Sequence, residues 1–168
     1  MNLTNSALEK HFQLYQEQFL KQAWYSAAVA LAEIFHASAR LPAEQRAAWR
    51  SRVTKDLDER FLREVRNGQE RAIQRIHRVL SVGSKWTGEE VLLLMLMRVD
   101  VKLLSDFLGS GVDVESQVYL KDIDVQLSSL ARSKNHAHHF TWALQRMKKT
   151  APNDVESVWL SLINRDQT

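Results

Sequence analysis

Leu8, Phe12, Tyr15, Phe19, Ala23, Ala27, Leu31 and Phe35 follow one another at steps of three and four residues. A strand would alternate at every second position, so this period calls for a helix with one apolar face. Little in the chain interrupts such patterns: the 168 residues hold 5 glycines and 2 prolines, too few for a fold assembled from many turns. The expectation is an all-α protein in one domain over residues 1–168, a length that can bury a sizeable core.

Punctuation along the chain divides it further. Ser6 with Glu9 has the form of a capping box, so one long helix is expected over about 6–38. Leu41-Pro42 ends it, and Pro42 suits the first position of a second helix with the stripe Trp49, Val53, Leu57, Phe61 and Val65, running at least to Arg66. Asn67-Gly68 is read as a break before Ile73, Ile76 and Leu80 resume the period. Thr87 and Glu90 form a second capping box ahead of VLLLMLM at 91–97, expected as a buried central helix ending near Gly109 and Gly111.

Residues 112–130 carry two patterns: Val112, Val114, Val118 and Leu120 alternate as in a strand, while Tyr119, Ile123, Leu127 and Leu130 fit a helix. Helix is chosen because no other segment offers a sheet to join. Asn135 is a candidate N-cap for a helix through Phe140, Leu144 and Met147, and Asn153 with Glu156 opens a last one carrying Trp159. The architecture expected is an antiparallel bundle of about six or seven helices joined by short connections.

Composition narrows the functional classes. With no cysteine there is no disulfide and no thiolate metal site, and the cytoplasm is the expected compartment. The N-terminal residues lack the pattern of a secretory signal, and VLLLMLM runs at once into Arg98, Asp100 and Lys102, so no membrane partner is expected. Net charge is only +3 but uneven: ten arginines and Lys55 between Arg40 and Arg78 face six carboxylates, a local surplus of about five. The plain reading is a solvated face laced with pairs such as Asp56–Arg60 and Glu59–Arg63; the alternative is a phosphate-facing surface. Asp122-Ile123-Asp124 reads as a solvated face, and the five tryptophans as core or interface, Trp86 and Trp142 least clearly.

One window concentrates groups with chemistry. LARSKNHAHHF, residues 130–140, holds Arg132 and three of the six histidines. If Arg132 ends one helix and His138 begins the next, both project from a helix junction. A guanidinium there can hold a phosphate through a planar fork of donors, and an imidazole can exchange a proton near neutrality. The bland reading is a polar first helical turn. A metal site is disfavoured, since His136 and His139 share a helix face while His138 points elsewhere and no carboxylate is near. No glycine-rich phosphate loop or GxSxG is present, and no cofactor or metal is expected.

Arg132-Ser133 followed by His138 and the aromatic Phe140 resembles the signature of the HEPN family, an arginine, a polar residue, and a histidine after four to six positions. The resemblance implies an all-α bundle that forms a homodimer, with the two motifs facing each other across the dimer axis. It also implies metal-independent cleavage of RNA, as in toxin–antitoxin, defence or RNA-processing systems. Carried over, Arg132 and His138 are the catalytic pair and His139 the rival base. Ser133, Lys134, Asn135 and His136 are then the substrate-binding residues. Arg71 and His77 repeat the spacing, but Ala72 replaces the polar residue and the pair sits in an amphipathic stripe, so it is read as accidental. The competing expectation is a non-catalytic module, an antitoxin, adaptor or regulatory subunit, that binds a protein through an apolar helix face.

Overall fold

A computed structural model describes residues 5–83, 85–109, 111–150 and 155–163. Among them are eight α-helices and no strand: α1 (Asn5–Leu20), α2 (Trp24–Ser38), α3 (Ala43–Thr54), α4 (Glu59–Val82), α5 (Gly88–Leu108), α6 (Val114–Arg132), α7 (Ala137–Thr150) and α8 (Val155–Ile163). The all-α expectation holds, with more helices than the six or seven expected. Residues group into two compact units, Met1–Gln69 with Leu103–Gly111, and Glu70–Lys102 with Val112–Thr168.

In the first unit α1 packs on α2 and α2 on α3. The expected single helix over 6–38 is two helices. Gln22 has φ +57°, its N–H donates to the Phe19 carbonyl at 3.0 Å, and the Ala23 N–H donates to Gln18 at 2.9 Å. These are the two bonds of a Schellman ending, with glutamine in the left-handed position that glycine ordinarily takes. Aromatic packing across the turn offsets the strain. The Phe19 ring lies 5.3 Å from Trp24, and Phe61 sits 5.8 and 6.1 Å from the two. Such pairs contribute about 0.5–1.5 kcal/mol each beyond burial.

The second expected helix also divides. Pro42 precedes α3 with ψ 150°, and α3 stops at Thr54. Asp58 opens α4, its carboxylate accepting the Phe61 N–H at 2.7 Å. No break follows at Asn67-Gly68; α4 runs 24 residues through it. Gly68 is there for close approach: a Cβ would stand 2.8 Å from the Cβ of Tyr25. The Ser6–Glu9 box does not form, because α1 is already helical at Asn5 and Glu9 instead receives both terminal nitrogens of Arg52.

In the second unit α6, α7 and α8 pack on one another. The Thr87–Glu90 box forms, with Thr87 N–H to Glu90 Oε2 at 2.8 Å and Glu90 N–H to Thr87 Oγ1 at 3.3 Å. α5 is buried along most of its length, with Val91, Leu94, Met95, Val99 and Val101 in this unit and Leu103, Leu104 and Phe107 in the first, and Leu93 exposed. It ends at Leu108 and is followed by Gly109 at φ +62°, both in the first unit. Residues 112–130 are helical as chosen. Asp113 caps α6 by accepting from the Ser116 N–H at 2.9 Å and hydroxyl at 2.7 Å, and Ile123 and Leu127 enter the core. Asn153 lies outside the described residues. Trp49, Trp86 and Trp159 are buried as expected, whereas Trp142 is substantially exposed and its ring lies against Gly88.

Candidate functional site at the α6–α7 junction

Arg132 is the last residue of α6, and His138 the second of α7, so the junction expected from the sequence is present. Ser133 leaves the helix with φ −71° and ψ 139°, its N–H bonded to Leu130 at 3.1 Å. Its carbonyl then accepts from His136 at 3.2 Å and Ala137 at 2.9 Å, starting the next turn. α7 itself begins at Ala137, with the His136 carbonyl accepting from His139 at 2.9 Å and Phe140 at 3.4 Å, so His136 and not Asn135 stands at the position before the helix. Buried Phe140, stacked 6.0 Å from Trp159 of α8, pins the first turn from below.

Arg132 is exposed, and its Nε donates to the Ser128 carbonyl at 3.2 Å. No described carboxylate forms an ion pair with it. With Val125, Ser128, Ser129 and Ser133 it lines an open hollow of about 490 Å3. Ser128 is 2% exposed. The buried hydroxyl oxygens of Ser128 and Ser133 have no hydrogen-bond partner, nor has the buried Nδ1 of His136. An unpaired buried polar atom costs about 1–3 kcal/mol, so three within nine residues mark a place where stability has not been optimised.

The histidines form a second group. The rings of His138 and His139 lie 3.8 Å apart and those of His136 and His139 6.2 Å apart. His138 thus packs on His139 instead of pointing away from it. Desolvation, then the charges of His138 and His136, hold the His139 pKa below the usual imidazole value, so this ring favours its neutral, proton-accepting form. The three histidines are not among the residues lining the hollow, and no hydrogen bond joins them to Arg132. Lys134 and Asn135 are exposed on the turn between the groups. Among the described residues no set of three or more histidines and carboxylates is placed to hold a metal ion.

Several sequence readings change. Asp122 and Asp124 are not simply solvated: Asp122 Oδ2 receives Gln126 at 2.7 Å and lies 2.8 Å from His77 Nε2, while Asp124 grips the buried Arg98. His77, whose ring is 4.6 Å from Tyr119, is therefore a structural partner of Asp122. The pairs Asp56–Arg60 and Glu59–Arg63 do not form; Asp56 accepts the Tyr15 hydroxyl at 2.7 Å, which together with burial raises the phenol's pKa. Arg60, Arg63 and Arg66, and farther along α4 Arg71, Arg75 and Arg78, are exposed and make no ion pair with a described residue. Ser128 and Ser129 were missed as site residues, although a serine pair one helical turn before Arg132 was the signal available.

No family model matches the chain, and neither a curated protein nor a solved structure shows significant similarity to it.

Proposed function

We propose that the chain is a metal-independent endoribonuclease of the HEPN type, an antiparallel helical bundle that works as a homodimer in the cytoplasm. One observation carries this reading. The arginine that ends α6 has no carboxylate partner among the described residues, and histidines at the start of α7 follow it across a single tight turn. A guanidinium already neutralised by a carboxylate would be poorly available to a phosphate; this one is not so committed.

The chemistry follows from the groups. His138, or His139 with its lowered pKa, takes the proton from a ribose 2′-hydroxyl. The 2′-oxygen attacks the adjacent phosphorus, and Arg132 stabilises the charge that grows on the phosphoryl oxygens. The bond from phosphorus to the 5′-oxygen breaks, and that oxygen takes a proton from a second imidazole, on the partner copy of the chain. The products are a 2′,3′-cyclic phosphate and a 5′-hydroxyl, and no metal enters the balance. The uncommitted arginines of α4 supply attraction for the RNA backbone.

The test is incubation with total RNA in EDTA, beside an Arg132→Ala/His138→Ala double variant. Cleavage by the unaltered chain alone supports the enzyme; identical inert profiles remove it. A second reading is favoured by Val114, Val118 and Val125, which are 77%, 63% and 49% exposed at helical spacing on α6. Such a face suits a non-catalytic module that binds another protein, an antitoxin, adaptor or regulatory subunit, and inert profiles would leave that reading in place.

A further inference from the structure

The hollow on α6 contains more than the sequence motif asks for. Its lining is one arginine, three serines and a half-exposed valine, with no carboxylate among them. Asp122 and Asp124, the nearest acids on the helix, are turned to His77, Gln126 and Arg98. Two of the three serine hydroxyls, those of Ser128 and Ser133, are buried with nothing to donate to. A serine or threonine inside a helix can satisfy its hydroxyl by bonding back to a carbonyl one turn earlier, as Thr54 does to Arg50 at 2.9 Å and Ser81 to His77 at 2.8 Å. Ser128 does not.

We infer that this hollow is a phosphate subsite, in which a phosphodiester of the RNA is held by the Arg132 guanidinium and by hydrogen bonds donated from the hydroxyls of Ser128 and Ser133. The choice of RNA rests on the ribonuclease reading above; the preference for an oxyanion rests on the lining itself. Hydroxyl and guanidinium groups are all donors toward a phosphoryl oxygen, and the planar fork of arginine meets two such oxygens at once. The end of α6 is by itself unfavourable to an anion because its last carbonyls point outward. The contact from Arg132 Nε to the Ser128 carbonyl neutralises part of that field, and the guanidinium supplies the full positive charge. The valine offers an apolar wall suited to the adjoining ribose. At about 490 Å3 the space is within the range of about 300–1,000 Å3 common to small-ligand sites. Ser128 and Ser133 are binding groups in this account, and the proton transfers stay with the histidines.

The experiment reads binding separately from cleavage. A 2′-O-methyl oligoribonucleotide keeps every phosphate but has no hydroxyl to attack, and its affinity is measured by fluorescence anisotropy in EDTA. The Ser128→Ala/Ser133→Ala variant should bind it about tenfold more weakly. Its melting temperature should be unchanged or higher, because each hydroxyl removed had no partner in the free protein. Arg132→Lys, which keeps the charge but loses the fork, should also bind more weakly. The subsite is overturned if the serine variant binds like the unaltered chain, or if an oligonucleotide with neutral methylphosphonate linkages binds equally well. Binding that follows this pattern with no cleavage of total RNA upholds the subsite while the nuclease reading fails. Cleavage with unchanged KM in the serine variant removes the subsite and leaves the nuclease.

Discussion

Arg98, on α5, is 5% exposed and places Nε and Nη2 at 2.6 and 2.9 Å from the two carboxylate oxygens of Asp124 on α6. The side-by-side geometry satisfies both charges at once. Removing one partner leaves the other charged in a place it cannot be solvated, so Asp124→Ala should cost about 3 kcal/mol in urea unfolding. The Arg98→Met/Asp124→Leu double variant should recover most of that loss. Equal stability of both variants would show that the pair is solvated after all.

Asp100 presents the opposite situation, a carboxyl that burial pushes from 3.8 up to about 7. The fold keeps it protonated to near neutrality, while the unfolded chain ionises it near pH 4. Between those values the unfolded state binds fewer protons, so this group's contribution makes stability fall as pH rises from about 4 to 7 and stay low above. Asp100→Asn mimics the protonated form. It should stabilise the protein by a few kcal/mol at pH 8, on the order of 1.4 kcal/mol per pKa unit, and by little at pH 4. Parallel unfolding curves of the two proteins at pH 4 and pH 8 check both halves of the statement.

Gln22 holds a left-handed backbone that a side chain adopts at a cost. Gln22→Gly should raise stability by about 0.5–1 kcal/mol and Gln22→Val should lower it by at least as much, since branching at Cβ makes that region worse. The contrast between the two variants, measured by thermal melting, separates backbone strain from the loss of the glutamine side chain.

If RNA is the ligand, the exposed arginines of α4 should show in its salt dependence. Changing Arg71, Arg75 and Arg78 together to glutamine should reduce the slope of log affinity against log salt by about 2, at about 0.7 for each phosphate contact on a single strand. Overall stability should hardly move, because none of the three is ion-paired with a described residue. An unchanged slope would mean that this surface stays clear of the nucleic acid.

These residues also show which parts of the molecule could be foreseen from the chain. Helix identity followed from apolar spacing even over 112–130, where only the lack of a second strand decided the choice. Helix ends depended on whether their chemistry was of the usual kind: Thr87 and Glu90 were readable, and so was the junction after Arg132. Gln22 concealed a break because a left-handed ending is ordinarily signalled by glycine. Gly68 suggested one that does not exist, since its role is to admit Tyr25. The Arg98–Asp124 pair joins positions 26 apart, which no local spacing could link. Ser128 drew no notice for a related reason: a helical serine has little meaning until the hollow beside it is known.

The ring of Phe140 resting on Trp159 ties the histidine turn to α8, a helix that lends it no reactive group. A protease cut beyond Thr150 would therefore spare Arg132 and all three imidazoles yet strip out the floor on which they stand. If the proposed chemistry takes place at this surface, it is hostage to a tryptophan some twenty positions downstream, and damage there would look, in an assay, like damage to the histidines themselves.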